Sequence, residues 1–175
     1  MDHEVLMTSS IVTEARLFAC EAHKKQKRRY TFEPYSVHLK SVACMVASVT
    51  QKPQIVAAAW LHDIVEDTPI TLEDVGVFGF EIKKLVFEVT DHSSRTDGNR
   101  AARKKIDLDH ARFASPDAQT IKLADLIDNA DSIIEFDPNF AKIFMAEGLE
   151  LFGLLTEGDP QLFERAENLL NDYFG

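Results

Sequence analysis

The residues His62-Asp63-Ile64-Val65-Glu66-Asp67 bring four ionisable side chains into less than two helical turns. An imidazole beside a carboxylate is a strong ligand pair for Mn, Fe, Co, Ni or Zn, and suits Ca or Mg less well. Glu66 follows His62 by one turn and Asp67 follows Asp63 by one turn, so each shares a face with its partner. Three carboxylates in so small a space repel one another, and a divalent ion with its water relieves that repulsion. By itself a His-Asp pair is commoner as a surface ion pair than as a metal site. The preceding Ala57-Ala58-Ala59-Trp60-Leu61 changes the setting, because it puts His62 and Asp63 where apolar residues are expected. Unpaired charge there costs several kcal/mol, and a cation removes the cost. Neighbours on a helix point about 100° apart, so other helices must supply further ligands.

Two isolated residues could do so. His38 sits on an otherwise apolar helix face, where a lone His is more often a hydrogen-bonded core residue than a ligand. Asp125 interrupts Ile121-Lys122-Leu123-Ala124-Asp125-Leu126-Ile127, where it could equally cap a helix or pair with a base. Cys20 and Cys44 are too few for a zinc knuckle or a disulfide framework and read as buried free thiols.

The elements that must position these groups are helical; no segment alternates with period two. A first helix is predicted over about Ser10 to Lys25, burying Val12, Ala15, Leu17, Phe18 and Ala22. Pro34 opens the helix that carries His38, and Pro53 opens one apolar nearly all round, ending near Asp67 before Thr68-Pro69. Thr71-Leu72-Glu73-Asp74 has capping-box spacing with Asp in the usual Glu position, and Phe78-Gly79 ends the short helix it starts. A further helix follows from Glu81 to Thr90. Residues 91–99 read as loop. Helices resume near Arg100 to Ala111, from Pro116 to about Ile134, after Pro138, and after Pro160 to Tyr173. On the last of these, Leu162, Phe163, Leu169, Leu170 and Phe174 form a stripe that reads as core. The expectation is an all-α fold, one domain over residues 1–175, with no repeat and no linker.

A net charge of −10 argues against non-specific binding to nucleic acid or anionic membranes. The positive charge is clustered, in Lys24, Lys25, Lys27, Arg28 and Arg29 and in Arg95, Arg100, Arg103, Lys104 and Lys105. Such islands are usually solvated helix faces and less often a site for a small phosphorylated anion; both readings stand at this point. The acidic start, Met1-Asp2-His3-Glu4, lacks the features of a secretion signal, no apolar run would cross a bilayer, and the location expected is cytoplasmic.

A distant His, then His-Asp, then a distant Asp is a pattern that resembles the HD-domain metal phosphohydrolases. The closer likeness is to the hydrolase domain of RelA/SpoT proteins and small stand-alone alarmone hydrolases. It is carried by Ala22-His23-Lys24-Lys25-Gln26-Lys27-Arg28, Pro34-Tyr35-Ser36-Val37-His38, Leu61 to Thr68 and Phe78-Gly79. Val89-Thr90-Asp91, His110-Ala111 and Lys122-Leu123-Ala124-Asp125 with Asn129 continue it in the family's order. The resemblance implies one divalent ion, usually Mn2+, bound by His38, His62, Asp63 and Asp125. It implies a phosphorylated guanine nucleotide as substrate and removal of the 3′-pyrophosphate of guanosine tetra- or pentaphosphate. Glu66 and Asp67 would orient and deprotonate the attacking water. Arg28, Lys122 and Asn129 would contact the substrate, whereas His23 and His110 read as structural and His92, where the family often has an acidic residue, is an unassigned loop His. A chain of 175 residues would be hydrolase only; its oligomeric state is left open.

Two departures bear on the pocket: Leu39 stands where the family commonly has Pro, and Arg28 to Glu33 lacks the usual Gly-containing turn. They leave room for another phosphorylated nucleotide, such as NADPH or a nucleoside monophosphate. A non-catalytic nucleotide sensor is the third reading, although it would not need Glu66 and Asp67.

Overall fold

The computed structural model describes residues 6–175; the acidic start at residues 1–4 lies outside them. Contacts between Cα atoms group the chain into two units, Met1–Phe87 and Glu88–Gly175. Every regular element among the described residues is helical, and the one extended feature is an isolated antiparallel bridge between Lys27 and Pro34.

The first unit is built on α1 (Ser10–Ala22), α2 (Ser36–Val49) and α3 (Pro53–Leu61). Helix α3 packs against both of the others, and every residue from Ile55 to Leu61 is buried. Such burial stabilises by roughly 1.5–3 kcal/mol for each Val, Ile or Leu side chain. Trp60 joins this core although its indole Nε1 has no hydrogen-bond partner, so its ring area has to outweigh an unsatisfied donor. Helix α1 stops at Ala22 rather than near Lys25, and its buried face is Val12, Ala15 and Ala19. Leu17 is exposed, contrary to the expectation, because it falls off that i, i+3, i+7 stripe. Helix α2 begins at Ser36, two residues after Pro34, whose bridge to Lys27 holds it in extended backbone.

After α3 the chain breaks and resumes as the single turn α4 (Ile64–Asp67), which ends at Thr68 as the sequence indicates. The Thr71 capping box forms as read: Thr71 and Asp74 exchange side-chain-to-backbone hydrogen bonds at the start of α5 (Leu72–Val75). A 3-10 turn over Gly76–Phe78 ends at Gly79, whose φ of 98° explains the glycine. Helix α6 (Phe80–Val89) follows.

The second unit contains α7 (Arg100–Ala111), α8 (Pro116–Phe136), α9 (Pro138–Phe152) and α10 (Pro160–Phe174). A proline in the first turn of each of the last three supplies a preset φ where no intrahelical N–H bond is needed. Ala130, Met145 and Leu170 bring α8, α9 and α10 together. Of the apolar stripe on α10, Leu162 and Leu170 are core and Phe174 is exposed at the chain end. The thiols of Cys20 and Cys44 are free but half-buried rather than buried; burial pushes both up, and Arg16 and Lys40 oppose it. No helix among the described residues is long and apolar enough to cross a membrane.

The connection into α10 is pinned to α8. The backbone N–H groups of Glu157 and Asp159 donate to Gln119 Oε1 at 2.8 Å and Thr120 Oγ1 at 2.9 Å. Between them Gly158 lies so close to α8 that a Cβ would sit 2.6 Å from Leu123 Cδ1 and 3.3 Å from the Gln119 carbonyl carbon. Leu123 is fully buried and has little room to yield. Gly158→Ala is therefore expected to destabilise the protein by about 1–3 kcal/mol, read as a lower urea midpoint at unchanged slope.

Candidate functional site

The break between α3 and α4 falls at His62 and Asp63, both with right-handed backbone angles but outside regular helix. His62 caps the most deeply buried helix of its unit. Its Nδ1 lies 2.8 Å from the carbonyl oxygen of Ala59, which can only accept, so the ring proton is on Nδ1 and Nε2 presents a lone pair. From α2, His38 presents its Nε2 3.1 Å from that of His62. The third donor, Asp63 Oδ2, lies 3.0 Å from His62 Nε2 and 3.3 Å from His38 Nε2. His38 and His62 are only 1% and 4% exposed, so bulk water does little to screen these groups.

Three donor atoms thus converge in the first unit, one from α2 and two from the break after α3. Burial pushes the Asp63 carboxyl up, but the attraction of His62 when protonated, and hydrogen bonds from both imidazoles when their Nε2 atoms carry protons, outweigh it and hold it well below the usual carboxylate range. The Tyr35 hydroxyl adds a further hydrogen bond to Asp63 Oδ2 at 2.6 Å, which keeps that oxygen an acceptor. Two imidazole nitrogens and an anionic oxygen suit a borderline transition-metal ion.

Asp67 ends α4, exposed, and its Oδ2 accepts from the Gln26 amide at 2.8 Å. Glu66, its neighbour, is also exposed. Arg28 lies in the loop after α1, where its backbone N–H bonds the Glu33 carbonyl at 2.9 Å. The turn so closed has no glycine, and Phe32 adopts φ 58°, a left-handed conformation costly for a bulky residue.

The remaining sequence-derived candidates lie together on α8 of the second unit. Asp125 Oδ1 accepts from Asn129 Nδ2 at 2.7 Å, and the largely buried Lys122 has its Nζ 3.4 Å from Asp91 Oδ1. All three line a cavity of about 340 Å³ together with Arg100, Lys104, Glu147, Phe140 and Phe144. Arg100 bonds Glu147 through two nitrogens, at 2.7 and 2.6 Å, and its guanidinium lies 5.0 Å from the Phe140 ring centroid. The other basic island is more loosely used: Lys24 pairs with Glu21, and Arg29 lies over the Tyr30 ring.

A profile described as an HD domain matches residues 15–158. The chain belongs to the HD-domain family. It is 35% identical over 126 residues to guanosine-3′,5′-bis(diphosphate) 3′-pyrophosphohydrolase MESH1 of Xenopus tropicalis, covering 69% of this chain and 68% of that one. A probable enzyme of the same name from Mycoplasma pneumoniae is 33% identical over 84% of this chain, which spans only 21% of its length. A solved structure described as a metazoan orthologue of SpoT that hydrolyses ppGpp superposes with a TM-score of 0.85 at 26% identity, over 95% of this chain and 97% of that one. An all-helical HD fold is what the resemblance in the sequence implies. Membership in the family implies a divalent metal ion, and His38, His62 and Asp63 form a possible site for it.

Tyr35, Gln26, Arg100 and Glu147 are contacts that motif reading did not assign to the site. Tyr35 and Gln26 lie inside stretches that carry the resemblance, but no spacing rule links them to Asp63 or Asp67.

Metal content should follow these donors. Purified protein dialysed against a divalent transition metal is expected to retain about one ion per chain by elemental analysis, and Asp63→Ala or His62→Ala to retain at least about 10-fold less. Retention should fall on acidification, because a protonated imidazole cannot be a ligand. Unchanged retention by both variants would exclude this triad as the site.

Proposed function

We propose that this chain is a metal-dependent phosphohydrolase that removes the 3′-pyrophosphate from guanosine tetraphosphate or pentaphosphate, releasing GDP or GTP and pyrophosphate. The carrying observation is a His-His-Asp donor cluster, both imidazoles buried, in a chain that is 35% identical over 126 residues to a 3′-pyrophosphohydrolase. The HD profile runs through both units, in line with a single working domain over residues 1–175. Our reading assigns His38, His62, Asp63 and, on α8, Asp125 to one Mn2+ ion.

In this reading the ion supplies Lewis acidity toward the phosphoryl group and makes water more acidic. The protein's own side chains do the rest. Asp67, held by Gln26, takes the proton of the attacking water, while Glu66 orients that water. The water oxygen bonds to the phosphorus attached to the 3′-oxygen, and the bond from that phosphorus to the 3′-oxygen breaks. The 3′-oxygen takes up a proton, and pyrophosphate leaves. Arg28, Lys122 and Asn129 bind the nucleotide; Lys122 and Asn129 border the cavity with Arg100 and Lys104, which gives one basic island a use. A polyanion gains from such cations because each charge-assisted hydrogen bond is stronger than a neutral one.

The test is incubation of the Mn2+-loaded protein with guanosine tetraphosphate and separation of products by anion exchange. GDP and pyrophosphate from the wild type, with a loss of at least about 100-fold in Asp63→Ala, are expected. Arg28→Ala and Asn129→Ala should act mainly on KM, by about 10-fold, if they bind ground and transition states alike. Turnover only of NADPH or a nucleoside monophosphate would replace the substrate, and metal binding without turnover of any nucleotide would favour a sensor.

A further inference from the structure

His23 and Gln26 lie just beyond the end of α1; His23 has no part in the reaction scheme above, and Gln26 enters it only as the hydrogen-bond partner of Asp67. His23 is buried, 3% exposed, and its Nδ1 lies 2.6 Å from Gln26 Oε1. The Gln26 amide nitrogen donates in turn to Asp67 Oδ2 at 2.8 Å, across 41 residues of sequence. The direction of both hydrogen bonds is fixed from one end. An ionised carboxylate can only accept, so Gln26 must turn its NH2 group toward Asp67 and its carbonyl toward His23. A carbonyl also only accepts, so the His23 proton is on Nδ1; the other ring nitrogen, Nε2, has no hydrogen-bond partner. Leaving a buried acceptor unpaired is costly, and that cost is sustained while Nδ1 serves Gln26.

The same two residues also reach the metal ligands. The Gln26 carbonyl oxygen of the backbone accepts from the Tyr35 N–H at 3.1 Å. The His23 ring stacks on the Tyr35 ring, 5.1 Å between centroids and 23° between planes. Tyr35 then bonds Asp63 through its hydroxyl. One buried imidazole therefore braces the amide that holds Asp67 and the phenol that holds Asp63.

We propose that His23 and Gln26 are positioning residues for hydrolysis: His23 orients the Gln26 amide, and Gln26 fixes the Asp67 carboxylate so that one oxygen is engaged and the other can accept a proton from water. This rests on the reading of Asp67 as the base. Neither residue touches substrate in this scheme; the Gln26 side chain acts through Asp67, and the contacts of the Gln26 backbone and the His23 ring to Tyr35 are separate from it.

The experiment is a double-mutant cycle on the Mn2+-loaded enzyme with guanosine tetraphosphate, using Gln26→Leu, Asp67→Ala and the pair. Gln26→Leu is expected to lower kcat about 10- to 100-fold, the loss typical of an outer-shell partner, with KM and metal content changed less than about twofold. In the Asp67→Ala background the same substitution should cost nothing more, because what it positions is gone. His23→Asn, which keeps a donor near the Nδ1 position, should retain more kcat than His23→Ala. Gln26→Glu keeps size and polarity but removes the donor, so it should be impaired like Gln26→Leu even if the apolar variant folds poorly. Losses that multiply in the double variant, or a rise in KM alone, would overturn the positioning role. An inactive Asp67→Ala beside a fully active Gln26→Leu would remove the relay and leave the base in place. A fully active Asp67→Ala would remove both.

Discussion

Two imidazole nitrogens and a carboxylate oxygen about 3 Å apart, shielded from water, set lone pairs against one another unless a proton or a cation lies among them. The hydrogen bond from His62 Nδ1 to the Ala59 carbonyl commits the His62 lone pair to this meeting point, so His62 cannot relieve the crowding while neutral. A proton shared among the three groups gives partial relief. A divalent ion gives more, because it lets every donor turn a lone pair inward at once. The surrounding helices hold that crowded geometry in place.

The means of holding it is a helix that stops at the right residue. Helix α3 is buried on all sides, so its axis and rotation are fixed by packing against α1 and α2 before any polar contact is counted. The break at His62 and Asp63 then lets consecutive side chains reach one point, which an unbroken helix would direct about 100° apart. Tyr35 and Gln26 act from the loop between α1 and α2, the segment that the Lys27–Pro34 bridge closes. Loops that carry chemistry need such ties, because their own backbone bonds are few.

Much of this was legible from the sequence where the signal is local. Pro53 and Pro116 marked helix starts to the residue, Pro138 and Pro160 marked them to within one residue, and the Thr71 box formed with Asp74 in the glutamate position. The all-round burial of α3 followed from its composition. Other features had no local signal. No glycine or proline marks the break at His62, and the apolar Leu17 gave no hint of exposure because only the phase of the packed stripe decides it. Contacts between residues 28 or 41 positions apart, Tyr35 with Asp63 and Gln26 with Asp67, depend on tertiary geometry that periodicity does not encode. His38 shows the same limit: its side chain type suggested a core residue or a ligand, and it is a buried residue whose Nε2 meets that of His62.

Ala57, Ala58 and Ala59 are completely enclosed, and the third lends its carbonyl to His62. Enlarging any of them moves the end of α3, and the ligands with it. The stretch thereby couples packing to chemistry: a change tolerable for folding still displaces the donors at the helix end. Variant libraries that score only expression or solubility will therefore pass substitutions here that have already cost the protein its work.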